Sequence, residues 1–267
     1  MIPRELCHYT RKDTALEKIL FTKKIKFGQF MFTNDPKESA GMMGAFFLPD
    51  SKDPDIISLA QDLRENSVRI RQEEWKVLCL SRNRTERGVR SGLLDTLSKG
   101  YCKPRMWAQY AENHTGICLV FHGKRLAEII RHAFEQREGI TLYHGSVVYK
   151  NFGTIIPFPH IDPKNPHNFN ENEIRNFFHR NHREIFMVKN LDWRGETEYR
   201  WLIHSTTRNE EYVSIEGALK SVLVGMNFPD VYLPSLVNLC EQLKVPAGKV
   251  FWHDGMPIVK MDCIYKP

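Results

Sequence analysis

Apolar and polar positions along this chain switch between a period near two and a period near 3.6, which predicts alternating strands and helices. Leu6-Cys7-His8-Tyr9 has strand character. Residues 13–23 then place Leu16, Ile19 and Leu20 on one helical face behind Asp13, a residue suited to the start of a helix. Asn34-Asp35-Pro36 is turn chemistry that predicts a helix from about Pro36. Helices are expected at 55–73, 105–111 and 124–138, with strands at 76–81 and 116–121.

Pro157, Pro159, Pro163 and Pro166 exclude a helix or central strand from about 151–168, so that stretch reads as a long loop. Beyond it the pattern predicts one helix over 172–189, strands at 198–204, 212–215 and 219–224, a helix at 233–243 and strands at 250–253 and 257–261. No repeat is visible. The expectation is one α+β domain over 1–267, with a basic insertion at about 82–105 and the proline-rich loop at about 151–168.

Composition narrows this picture. With 267 residues, 42% of them hydrophobic, the chain can bury a sizeable core. The six cysteines lack CxxC spacing and several sit in apolar runs, so free buried thiols are expected, with neither disulfides nor zinc. The N-terminus has no signal-peptide pattern and no stretch approaches the roughly 20 apolar residues of a membrane span, which points to the cytoplasm and away from membranes. The net charge of +6 is modest, but between Ser81 and Met106 seven cations face only Glu86 and Asp95, a local +5. Arg82, Arg84, Arg87, Arg90 and Arg105 are therefore candidate phosphate or nucleic-acid contacts, and a plain solvated loop is the competing reading.

Six short motifs run in order: His8-Tyr9-Thr10, Thr33 through Glu38, Cys79-Leu80-Ser81, Met106 through Tyr110, His114-Thr115-Gly116 and Trp193 through Arg200. Together they resemble the bacterial family catalogued as domain of unknown function 2971. More distantly, the arrangement resembles the ADP-ribosyltransferase superfamily, notably its DNA-modifying toxins. That second resemblance implies a split mixed and antiparallel β-sheet core with flanking helices, NAD as the substrate and no metal. It implies a site made by His8, Tyr110 and Glu198, with the backbone of Tyr9 or Thr10 holding the nicotinamide amide and Glu196 completing a glutamate pair. Ser81 is a further candidate for cofactor binding, and Asn34, whose first reading is a turn and cap, is a second candidate to touch the nucleotide.

The chemistry is coherent. Breaking the nicotinamide–ribose bond builds oxocarbenium-like charge on the ribose, which a fixed carboxylate stabilises. In an extended segment, Glu196 and Glu198 would point to the same side. An aromatic such as Tyr110 could lie over the cationic nicotinamide, and His8 could hydrogen-bond a ribose hydroxyl. The expected activity is NAD-dependent ADP-ribosyl transfer, or NAD hydrolysis where water is the acceptor. The basic segment suggests a nucleic-acid acceptor. A toxin or anti-phage role with a cognate antitoxin or sensor protein follows by analogy.

The alternative is a non-catalytic nucleic-acid- or protein-binding module on the same fold. On that reading His8 is a core histidine, Trp107 and Tyr110 pack, and Glu196 and Glu198 form a surface ion-pair ladder with Arg194 and Arg200. His179, His182 and Glu184 are crowded by cations and do not make a convincing metal set. Gly41 through Gly44 lacks the lysine of a phosphate loop.

Overall fold

The computed structural model of the chain describes residues 1–39, 54–84, 92–151, 170–207 and 209–267. The first apolar run forms β1 (Glu5–Thr10). It is followed by a wide helical segment of π type at Thr14–Leu20, where Asp13 accepts from the Thr14 N–H. Next come β2 (Lys24–Gln29), α1 (Pro36–Ser39), α2 (Pro54–Glu73), β3 (Trp75–Arg82), α3 (Gly92–Ser98), α4 (Pro104–Gln109), β4 (Ile117–His122) and α5 (Gly123–Phe134). The chain continues through β5 (Ile140–Ser146), β6 (Val148–Lys150), α6 (Glu171–Arg180), α7 (His182–Phe186), β7 (Val188–Asn190), β8 (Glu198–Ser205) and β9 (Glu211–Ser214). It ends with β10 (Leu219–Val224), α8 (Leu233–Leu243), β11 (Ala247–His253) and β12 (Met256–Tyr265).

Several expectations needed correction. The single helix predicted over 172–189 breaks at Asn181, which leaves helical geometry (φ −109°, ψ 19°) while its side-chain amide donates to the Phe177 carbonyl. Residues 188–190 then become β7, paired in parallel with β6. β2 and β5 were not predicted, although Ile25 and Phe27 alternate with polar neighbours in β2. Arg87, Arg90, Gly41 through Gly44 and nearly all of the proline-rich loop lie outside the described residues.

The large sheet forks at β3. From one side the order is β12-β11-β10-β4-β1-β3, antiparallel except for the parallel β10–β11 pair. β8 pairs with β3 along its whole length, Trp75↔His204 to Ser81↔Glu198, and β5 lies outside β8. A strand has only two edges, so β1 and β2 must share the other edge of β3. β1 holds Ser81 and Arg82, and β2 holds Lys76 and Val77. Among the described residues no strand pairs with Leu78–Leu80 on that edge, and the sheet opens there.

Three apolar clusters surround the fork. On one face, α5, α8 and the π-type segment bury residues such as Leu6, Phe27, Leu80, Phe121 and Trp201. On the other face, α2, α6 and α7 cover the β3–β8 half around Trp75, Phe178, Phe186 and Leu202. Cys7, Tyr9, Met106 and Trp107 pack over the β1–β4 half. Fully buried aromatics such as Trp75 each contribute about 3–5 kcal/mol against truncation to alanine. The fork therefore has rigid walls. The α4–β4 turn is equally constrained: a Cβ on Gly116 would lie 2.4 Å from the Thr10 carbonyl oxygen, so only glycine lets the two backbones approach.

Candidate functional site

A cleft of about 320 Å³ opens where β1 and β3 part. His8, Asn34, Ser81, Tyr110, Glu196 and Glu198 all line it, from segments up to 190 positions apart in sequence. Tyr9 also borders it, but its phenol is turned to structure, donating to the Gly100 carbonyl at 2.7 Å and meeting Trp107 edge-on. Thr10 is buried opposite Ile117 and is not among the lining residues.

His8 bridges the fork. Its Nδ1 lies 3.2 Å from the Cys79 carbonyl oxygen, which can only accept, so Nδ1 carries the proton and Nε2 keeps its lone pair. Burial lowers the His8 pKa against the opposing effect of that hydrogen bond, which favours the neutral ring. The core-histidine reading and the ligand reading thus both describe part of this side chain: one nitrogen is satisfied by backbone, and the other is an acceptor.

Glu196 and Glu198 do not lie on an extended segment. Glu196 ends a 3-10 turn (Leu191–Glu196), and Thr197 is left-handed (φ 44°, ψ 53°) before β8 begins. Both carboxylates nevertheless meet, because Lys189 from β7 reaches Glu196 Oε2 at 2.8 Å and Glu198 Oε2 at 3.1 Å. Tyr110 donates to Glu196 Oε1 at 2.5 Å. Arg200 donates to both Glu198 oxygens, from Nε at 2.8 Å and Nη2 at 3.1 Å. Its Nη1 donates to the Phe186 carbonyl and sits 2.6 Å from Glu38 Oε1. The expected surface ladder with Arg194 and Arg200 is therefore a buried network, with Glu196 and Glu198 only 2% and 4% exposed.

The charges set one another. Burial alone would raise the Glu198 carboxyl, but Arg200 and Lys189 hold it down at about 2. Burial works against the Lys189 charge, and Glu198, Glu38 and Glu196 outweigh it. Burial and then Glu196 push the Tyr110 phenol up, so it stays a donor. Glu38, Glu196 and Glu198 line the cleft with Lys26 and Lys189, and Arg200 and Arg71 stand with Asp35 beside them, so four acidic groups are matched by four basic ones.

The left-handed turn is pinned from behind. Lys103, 5% exposed, donates to the Glu196 carbonyl at 2.6 Å, the Arg82 carbonyl at 3.2 Å and Thr197 Oγ1. Ser81 Oγ donates to the same Glu196 carbonyl, and Thr197 Oγ1 donates to the Arg82 carbonyl. Ser81 therefore sets the turn as well as lining the cleft.

The basic candidates divide. The Arg82 carbonyl is part of the turn. Arg105 lies over Trp193 at 5.1 Å with Nη1 on the Asp192 carbonyl, and Arg84 lines a separate cavity. Trp107 is buried, donating to the Tyr101 carbonyl, whereas Tyr110 lies just past the end of α4 and faces the cleft. His179 Nδ1 pairs with the Tyr143 hydroxyl, and His182 Nδ1 with the His179 carbonyl. Sequence reasoning missed Lys189, Glu38 and Lys103 as partners in the site and placed Arg200 only in a surface ladder, because these roles depend on tertiary contacts. It also missed Phe32, an aromatic 74% exposed at the cleft mouth, although that residue directly precedes the Thr33–Glu38 motif.

No helix among the described residues is long and apolar enough to cross a membrane. No curated protein and no solved structure matches the chain. Residues 106–201, which hold Tyr110, Lys189, Glu196 and Glu198, match the model described as Protein of unknown function (DUF2971).

Proposed function

We propose that this cleft binds NAD and breaks its nicotinamide–ribose bond, passing ADP-ribose to an acceptor or to water, on a fold of the ADP-ribosyltransferase kind. The observation that carries the reading is the meeting of His8, Tyr110, Glu196 and Glu198 around one cleft in a forked sheet. The Glu196 and Glu198 carboxylates lining the cleft suit a cationic nicotinamide and the oxocarbenium-like ribose that follows. His8 Nε2 would accept from a ribose hydroxyl, and Phe32 would cover an aromatic ring at the mouth. A nucleic-acid acceptor, and a toxin or defence role with a cognate antitoxin or sensor, are parts of the same proposal. A second reading, a binding module without catalysis, is favoured by one observation: both Glu198 oxygens are already engaged by Arg200 and Lys189.

The test is incubation of the purified protein with NAD labelled in its ADP-ribose portion, with and without RNA, DNA and protein, alongside Glu196→Gln, Glu198→Gln and Tyr110→Phe. The proposal expects nicotinamide release that the glutamate variants lose while their NAD-free melting curves remain cooperative. If no label transfers, no nicotinamide is released and NAD does not raise the melting temperature, the enzyme reading is abandoned.

A further inference from the structure

Behind the Glu196 turn lies a second cavity, of about 530 Å³, which shares no lining residue with the cleft. Its walls come from the end of α3, the start of α4, Gly195 and the β11–β12 hairpin. Arg84, Lys103 and Arg105 line it, and among the described residues no carboxylate does. We propose that this cavity binds a phosphate group, as free phosphate or as the phosphate of a nucleotide.

The argument rests on Lys103. An ammonium taken out of water costs several kcal/mol unless a counter-charge is present. Every protein contact of Lys103 among the described residues is to a neutral oxygen: two carbonyls and one hydroxyl. Its charged neighbours are Arg82 and Arg84, which add to the cost rather than relieve it, and burial with these arginines brings its pKa down to about 7. Three basic side chains thus border one cavity with no carboxylate among the described residues lining it, and Lys103 gains its full charge only when an anion sits beside it. A dianionic phosphoryl group would supply that anion, with Arg84 and Arg105 donating from the rim. Trp252, from the same wall, has a buried indole N–H with no acceptor among the described residues. The volume is in the range of small-ligand sites and has room for a mononucleotide.

This inference does not depend on NAD cleavage. Lys103 nonetheless joins the two sites, because the carbonyl it holds belongs to Glu196, whose carboxylate faces the cleft.

The experiment is calorimetric titration of the full chain with inorganic phosphate, with 5′-AMP and with a short single-stranded oligonucleotide, at matched ionic strength. Wild type is compared with the Arg84→Gln/Arg105→Gln double variant, whose substituted side chains are exposed and leave the core intact. Saturable binding of at least one probe, weakened tenfold or more in the double variant, is the expected result. Saturation by phosphate identifies a free-anion site, and saturation by 5′-AMP or the oligonucleotide alone identifies a nucleotide phosphate. Absence of saturable binding below 10 mM for all three probes (about the millimolar scale of the weakest specific sites), or binding unchanged in the double variant, overturns the proposal.

Discussion

Tyr110 Oη donates to Glu196 Oε1 at 2.5 Å across 86 positions of sequence, and this bond ties the residue after α4 to the turn that starts β8. It orients one carboxylate at the cleft while Lys189 holds its other oxygen. Tyr110→Phe keeps the ring and removes the donor. The expected loss is about 1–2 kcal/mol in urea unfolding, as for a hydrogen bond to a charged acceptor. Nicotinamide release should fall roughly tenfold. Unchanged stability and unchanged turnover would show that the bond orients nothing.

Glu198 has a structural role whatever its chemistry. Glu198→Gln leaves the buried Arg200 and Lys189 with one negative partner fewer, at an expected cost of about 3 kcal/mol. Chemical denaturation measures this directly. A drop well under 1 kcal/mol would mean that the network reorganises around the amide, and activity lost in this variant would then report on chemistry rather than on folding.

Phe32 separates binding from stability. At 74% exposed it supports little of the core, so Phe32→Ala should leave the unfolding free energy within about 0.5 kcal/mol of wild type. If the ring covers a bound aromatic, the apparent affinity for NAD should weaken by roughly three- to tenfold, from a ring contact worth about 0.5–1.5 kcal/mol. Thermal-shift titration with NAD reads both quantities at once.

Lys244 ends α8 in the left-handed region (φ 53°, ψ 45°), a conformation that costs an L side chain about 1 kcal/mol and costs glycine almost nothing. Lys244→Gly should therefore stabilise the protein by about 0.5–1 kcal/mol in equilibrium unfolding. A destabilised variant would show that the lysine side chain contributes more than its backbone costs.

The acid limb of stability has two identified sources. Burial opposes ionisation of Glu74, but hydrogen bonds from Arg175 and His204 bring its pKa from 4.5 down to about 2. Its contribution is complete above pH 4.5 and is lost as pH falls toward 2. Burial, then His204 and His182, lowers His179 from 6.5 to about 4, so the unfolded chain takes up that proton first. Stability therefore falls as pH drops from 6.5 through 4. In urea midpoints measured from pH 7 to 3, His179→Gln should flatten the slope between 6.5 and 4.5 and leave the lower segment. The remaining slope in that window belongs to other depressed histidines, His8 among them. An unaltered upper slope would remove His179 from this account.

Local pattern alone was enough for most of the elements. β1, β3, β4, β8 and β10 could be read from the sequence because they are buried on both faces and show as apolar runs, and α5 and α8 because each buries one face that its apolar spacing reports. β2 and β5 escaped because their sheet contacts lie far away in sequence, with β9 and β8. The motifs also named His8, Tyr110, Glu196 and Glu198 as a group, but by resemblance, with a strand geometry for Glu196-Thr197-Glu198 that the left-handed Thr197 replaces.

Tertiary structure alone decided how those residues meet and at what charge. Period and composition record which side chains prefer burial, and that preference is local. They hold no record of which carbonyl His8 finds in β3, nor that Lys189 bridges two glutamates while Arg200 clamps one of them. Nor do they show that Lys103 is buried behind the turn with only neutral oxygens to hold. Pair electrostatics depends on distances of a few ångströms between segments nearly 190 residues apart, and only the closed fold sets those distances.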